Sequence, residues 1–225
     1  MITFEHVTKQ FNGQSGVNDI SFTVEQGELV FLVGASGAGK TTILRLIRRD
    51  LLPESGKIIV GEWDVTKVPN SKVPLLRRHA PLIFQDFKVL TDRTVEENIA
   101  IALQIRGEDP EEIAKRVPET LTLVGLEKKG KAFPIQLSAG ELQRVSIARA
   151  VIGKPKLLLA DEPTGNLDPK TGWDIIKVLG DINKTGTTVL MATHNIDVVN
   201  SMKKRVMVIK DGKISSDKKD AKYSE

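Results

Sequence analysis

The sequence contains no cysteine. Structural disulfides and thiolate metal sites are therefore excluded, and nothing points to an oxidising compartment. No apolar run approaches the ~18 residues that a membrane-spanning helix requires. The opening Met1-Ile2-Thr3-Phe4-Glu5-His6 has neither the basic start nor the apolar stretch of a secretory signal. Internal repeats and low-complexity tracts are lacking too. Neither sign of charge dominates: 33 basic against 29 acidic residues leave +4, a mild excess that gives no reason to expect nucleic acid as a partner. The clusters Arg45, Arg48, Arg49 and Arg77, Arg78 read as solvated helix faces. What remains is a 225-residue chain, 40% hydrophobic, able to bury a real core as one large two-lobed domain or two small ones. A compact cytoplasmic enzyme is the expectation.

Residues 34–42 supply the chemistry. Gly34-Ala35-Ser36-Gly37-Ala38-Gly39-Lys40-Thr41-Thr42 follows directly on the apolar run Leu29-Val30-Phe31-Leu32-Val33. Glycines at this spacing let the backbone turn its N–H groups inward on phosphate oxygens, and a helix starting near Lys40 adds the positive end of its dipole. Lys40 would reach the β- and γ-phosphates, and the Thr41 hydroxyl would face Mg²⁺. The chain should bind a nucleoside triphosphate.

The first 65 residues alternate as strands do: Ile2, Phe4 and His6 face one way, and so do Ile20, Phe22 and Val24. They predict an antiparallel layer beside the nucleotide. Leu157–Ala160 and Thr187–Ala192 are apolar throughout, as strands of a parallel sheet covered on both faces are, and belong with 29–33 in a central sheet. Val206, Val208 and Lys210, then Asp211-Gly212, then Ile214, spell a hairpin with a primed turn, after which 215–225 reads as a frayed polar tail.

Between about 88 and 156 the texture is helical. Thr94 and Glu97 form a capping box ahead of Ile99, Leu103 and Ile105; Asp109 and Pro110 open a second helix, which Pro118 should kink or split. This gives a helical subdomain at 88–156 inserted into a core made of 1–87 and 157–214.

Two further groups carry chemistry. Leu157–Glu162 ends a buried strand in two carboxylates whose side chains point opposite ways. Asp161 can face a Mg²⁺ shell while Glu162 aims at a water in line with the γ-phosphate, and Pro163 ends the strand. Ser138 and Glu141 form a capping box for a helix with Leu142, Val145, Ala148 and Ile152 on its apolar face. A helix beginning Ser-x-Gly offers a hydroxyl, free N–H groups and a dipole end suited to a phosphate.

Taken together these residues resemble the ATP-binding cassette ATPases over nearly the whole chain. Residues 34–42 match Walker A, 157–162 match Walker B with its following glutamate, and Leu137–Glu141 match the signature motif, with Ala139 for its first glycine and Glu141 for its glutamine. The resemblance implies an α/β P-loop NTPase fold: a RecA-like core with parallel central sheet, an antiparallel β layer and an inserted helical subdomain. It assigns Gln85 to the Q-loop, contacting Mg²⁺ and the attacking water, Asp168 to the D-loop, His194 to the switch that touches the γ-phosphate, and Phe11 to stacking on adenine. It further implies that ATP with Mg²⁺ is hydrolysed by a head-to-tail homodimer, with Ser138, Gly140 and Glu141 completing the partner's site.

Phe84-Gln85-Asp86-Phe87 and Ala160–Asp168 resemble the branch of the family that serves cell division, lipoprotein release and macrolide efflux, and look most like its cell-division members. The resemblance implies an integral membrane subunit of the FtsX kind, which would hold the chain peripherally on the inner face of the plasma membrane. Through that subunit it implies indirect links to the division machinery and to regulators of cell-wall hydrolases outside. Lipoprotein release or macrolide efflux is the alternative.

Overall fold

A computed structural model describes residues 1–11 and 14–219. Two sheets organise it. Strands β1 (Ile2–Phe11), β2 (Gln14–Val24), β4 (Ser55–Val60) and β5 (Trp63–Asp64) form an antiparallel sheet in the order β2-β1-β4-β5. Strands β3 (Leu29–Val33), β6 (Leu82–Ile83), β7 (Leu157–Asp161), β8 (Thr188–Ala192), β9 (Arg205–Lys210) and β10 (Lys213–Lys218) form the second, ordered β10-β9-β3-β8-β7-β6. Within it β9, β3, β8, β7 and β6 are parallel, and β10 returns antiparallel along β9.

The period-two alternation of the central strands divides the core. Val30, Leu32, Leu157, Leu159, Leu190 and Ala192 face the antiparallel sheet, together with Ile43, Leu44, Leu46 and Ile47 of α1 (Lys40–Ile47) and Val73 and Leu76 of α2 (Val73–His79). Phe31, Val33, Leu158, Ala160, Val189 and Met191 face the other way, into helices α3 (Val95–Gln104), α4 (Pro110–Leu123), α5 (Ala139–Val151) and α6 (Pro169–Lys184). A strand buried on both sides is apolar along its length, as β3 is; β8 departs from this only at Thr188, whose hydroxyl accepts from the Gly27 N–H.

Several local expectations need correction. His6 is exposed and Val7 takes the core-facing position, because β1 carries a register shift between Phe4 and Val7, with His6 at φ 51°. Ile105, expected on the apolar face of α3, is exposed just past its end. Pro118 does not split helix α4, which runs as one element with buried Val117 and Leu121 anchoring the turns on either side of it. Strand β10 extends to Lys218, into the segment expected to fray, because Arg205 on β9 grips Asp217 with Nε and Nη2 at 2.8 and 2.7 Å; residues 220–225 of that segment lie outside the described residues. In the basic clusters Arg45 and Arg77 are exposed, as solvated faces require, but several of the arginines are also tied down. Arg48 and Arg77 converge on Asp50, Arg49 donates to Asn70, and Arg78 donates to the carbonyl of Ile105.

The caps are as the sequence suggests. Thr94 and Glu97 cap α3 reciprocally, Asp109 accepts from the N–H of Glu111 ahead of Pro110, and Ser138 and Glu141 cap α5 reciprocally. Asp211 and Gly212 both have positive φ, as a primed turn demands.

Candidate active site

The loop after β3 is wedged between two other strands. A Cβ on Gly34 would lie 2.2 Å from the carbonyl oxygen of Ile209 on β9, and one on Gly39 would lie 2.3 Å from that of Gly16 on β2. Both residues also have positive φ, 151° and 113°, so glycine is required twice over. The turn of the last hairpin braces the loop from outside: the N–H of Gly212 donates to Ala38 and its carbonyl accepts from Asn18.

From Gly39 the chain enters α1, and the Lys40 side chain folds back into the loop. Its Nζ donates to the carbonyls of Gly34 at 2.7 Å and Ala35 at 3.1 Å, which holds a nearly buried ammonium at the phosphate cradle. Behind the loop, Thr41 Oγ1 donates to Asp161 Oδ1 over 3.1 Å. Burial pushes the Asp161 carboxyl above the usual range and the neighbouring Glu162 charge adds to this, while the Thr41 hydrogen bond and Lys40 oppose it. A hydroxyl and a carboxylate side by side are hard oxygen donors of the kind Mg²⁺ takes. No cluster of three His, Cys, Asp or Glu side chains fit to hold a metal occurs among the described residues. A Mg²⁺ ion held by Thr41 and Asp161 would fill the rest of its shell with water and phosphate oxygens.

Glu162 leaves the strand with φ 48°, a left-handed conformation costly for a residue with a Cβ. Its N–H still donates to Ala192 on β8, and the N–H of Gly165 donates to its carbonyl. The bend carries the carboxylate between Lys40 Nζ at 3.9 Å and His194 Nδ1 at 3.0 Å. Together with Gly34–Gly37, Gly39–Thr42 and Gln85, these residues line an open cavity of about 540 Å³. A cavity of about 610 Å³, lined by Trp63, Arg78, His79 and Arg106 among others, contains none of the motif residues and is unrelated to this chemistry.

Not every expected residue joins the cavity. Gln85 lines it, but its amide is turned to Asn166: Nε2 donates to Asn166 Oδ1 at 3.1 Å, and Asn166 Nδ2 donates back to the Gln85 carbonyl. Phe11 is exposed and outside it; its ring lies against Gly16, the residue that abuts Gly39, with Lys9 Nζ 5.7 Å from the ring centre. Asp168 caps α6, accepting from the N–H of Thr171. Ser138, Gly140 and Glu141 line no part of the cavity. Gly140 packs against α6, where a Cβ would meet Thr171 Cγ2 at 2.3 Å.

Sequence reasoning gave Gln143 no role. On α5 it is completely buried, and its Nε2 donates to the carbonyls of Pro163 at 2.7 Å and Phe84 at 3.3 Å, the neighbours of Glu162 and Gln85. An amide two residues from the Ser138–Glu141 box was the available signal, but α5 is buried nearly all round, so the expected apolar stripe did not single it out. Arg149, from the same helix, donates to the carbonyl of Lys88 beyond the Q-loop.

Residues 17–165 match the family described as ABC transporter. The chain belongs to the ABC transporter family. Among curated relatives it is 49% identical to the cell division ATP-binding protein FtsE of Bacillus subtilis (strain 168), covering 99% of this chain and 98% of that protein. It is 48% identical to FtsE of Escherichia coli (strain K12), covering 94% and 96%. A solved ATP-binding cassette, a dimer in a post-hydrolysis state bound to ADP and Pi, superposes with a TM-score of 0.87 at 31% identity over 99% of this chain and 100% of that one. The protein is thus an ABC-type ATP hydrolase of the FtsE family of cell-division ATPase subunits. Its two-sheet α/β body is the P-loop fold of these cassettes.

Proposed function

We propose that this ABC ATPase works as a head-to-tail homodimer in which the loop 34–42 of one copy and the α5 N-terminus of the other share each ATP. The carrying observation is the division of labour within one chain. The phosphate loop, Glu162 and His194 line one cavity, while the capped start of α5, with Ser138, Gly140 and Glu141, lies outside it. The dimeric cassette to which the chain is similar supports this. Residues 88–156 would form the lobe that carries α5, and Asp168 would sit in the D-loop at the interface.

In the shared site Gly34–Thr42 wrap the phosphates and Lys40 offsets their charge. Phe11, exposed and outside the cavity, would stack on adenine. Thr41 and Asp161 would hold Mg²⁺, with Gln85 joining after its amide leaves Asn166; the cation supplies charge neutralisation for the leaving phosphate. Glu162 takes the proton of the attacking water and His194 faces the γ-phosphate. Ser138 and Gly140 of the second copy donate to that phosphate, which closes the dimer.

Turnover would drive an integral membrane subunit of the FtsX kind and, through it, regulators of cell-wall hydrolases outside the cell. No helix among the described residues is long and apolar enough to cross a membrane, so attachment to the inner face would be peripheral and through that subunit. Complementation tests the shared site. Chains carrying Lys40→Ala and chains carrying Ser138→Ala, each inactive alone, should regain one working site per mixed dimer. No recovery, or a strictly monomeric protein with full ATPase activity, overturns the reading. Co-purification with FtsX from co-expressing cells tests the membrane partner.

A further inference from the structure

The start of α5 carries a negative charge that the usual signature glutamine would not. Glu141 Oε2 accepts from the Ser138 N–H at 2.8 Å and the Ser138 hydroxyl at 3.1 Å, while Oε1 faces Lys129 Nζ at 3.2 Å. The Ser138 N–H, with Lys129 assisting, holds the Glu141 carboxyl below the usual range, so it stays charged at neutral pH. Resting on the shared-site reading above, an anionic side chain thus sits one helical turn from the serine that meets a triphosphate.

We propose that Lys129 is the counter-cation that lets this carboxylate-bearing signature accept ATP: a positioning residue for nucleotide capture. Among the described residues no other Lys, Arg or His approaches within 4.0 Å of Glu141. Lys129 is presented by a fixed turn rather than a loose loop. Its N–H donates to Leu126, its carbonyl accepts from Ala132, and Leu126 is buried. The same turn is tied to the start of α3, where the N–H of Val95 donates to Ala132 and that of Glu96 to Gly130. The role is positional: the ion pair at Oε1 keeps the carboxylate folded onto Ser138, and without Lys129 the freed carboxylate can swing towards the phosphate, a cost that exists only while residue 141 is a carboxylate; because both side chains are partly solvated, the loss should be several-fold in nucleotide capture rather than orders of magnitude.

A double-mutant cycle on the full chain decides it, read as the MgATP concentration giving half-maximal dimer in a Glu162→Gln background and as KM and kcat in the active protein. Lys129→Met should raise that concentration and KM about three- to tenfold, with kcat changing less than twofold. Lys129→Arg should restore the native value. Once Glu141→Gln is present, Lys129→Met should have no further effect. An equal penalty in both backgrounds, or none in either, overturns the proposal. If the Lys40→Ala and Ser138→Ala mixture recovers activity while the cycle is additive, only the counter-cation role fails; if the mixture stays dead, the shared-site reading itself fails.

Discussion

The imidazole Nδ1 of His194 lies 3.0 Å from Oε2 of Glu162, and the His194 backbone N–H points at the same oxygen from 3.4 Å. The proposed general base and the residue proposed to face the γ-phosphate are therefore joined to each other, and the join depends on Glu162 keeping its left-handed backbone. Such a conformation costs on the order of 1–3 kcal/mol, so the neighbouring bonds to Ala192 and Gly165 must hold it.

Glu162→Gln keeps the shape and removes the base. Turnover should fall about 10²–10⁴-fold while ATP remains bound, and the ATP-bound dimer should accumulate. Phosphate release and gel filtration with ATP measure both effects, and unchanged release would refute the base assignment.

Gly140→Ala should destabilise the fold although alanine is the better helix former, because the new Cβ collides with Thr171 Cγ2. The expected cost is about 1–3 kcal/mol in urea unfolding. Thr171→Ser removes the colliding methyl and keeps a hydroxyl, so the double variant should regain most of the loss. Failure of that rescue would show that α5 and α6 are spaced by something else.

Gln143 separates stability from turnover. Gln143→Leu removes two donors but also an oxygen, Oε1, that has no partner, so unfolding stability should move by no more than about 1–2 kcal/mol. Turnover should suffer more, because Phe84 and Pro163 lose their common tie beside Gln85 and Glu162. Gln143→Glu should be less stable than Gln143→Leu by about 2 kcal/mol or more, since a buried carboxyl would face two carbonyl oxygens. Urea titration and steady-state kinetics on both variants check the pair.

The capping of α5 sets a pH dependence with a definite sign. The Glu141 carboxyl is lowered from its ordinary 4.5, first by the Ser138 N–H, so its stabilisation is complete above that value and is lost as pH falls through the lowered native one. The stability advantage of the native chain over Glu141→Gln should therefore shrink in that acidic window. A constant difference between the two chains across the window, in thermal melts, would contradict the assignment.

Much of the candidate site was legible in the sequence because its loop, strand end and helix start sit where local rules act, whereas Gln85, Asp168, His194 and Phe11 were assigned only through the family resemblance. Gly34–Thr42 follow a β-strand and open a helix, Asp161 and Glu162 end an apolar run, and Ser138 with Glu141 is a local capping pattern. Residues whose meaning comes from long-range contact were not. Nothing near Gln143 announces that its amide spans Phe84 and Pro163, 59 and 20 positions away. Nothing near Lys129 names Glu141 as its partner. The misplacement of His6 has the same origin: a register shift moves the core face to Val7, and simple alternation cannot anticipate it.

The contact between Gly16 and Gly39 has a mechanical corollary. Among the described residues the antiparallel sheet shares no ladder of hydrogen bonds with the central one, yet at this point its backbone presses on the phosphate loop with no side chain between them. A change in loop shape on nucleotide arrival or departure must therefore push on β2.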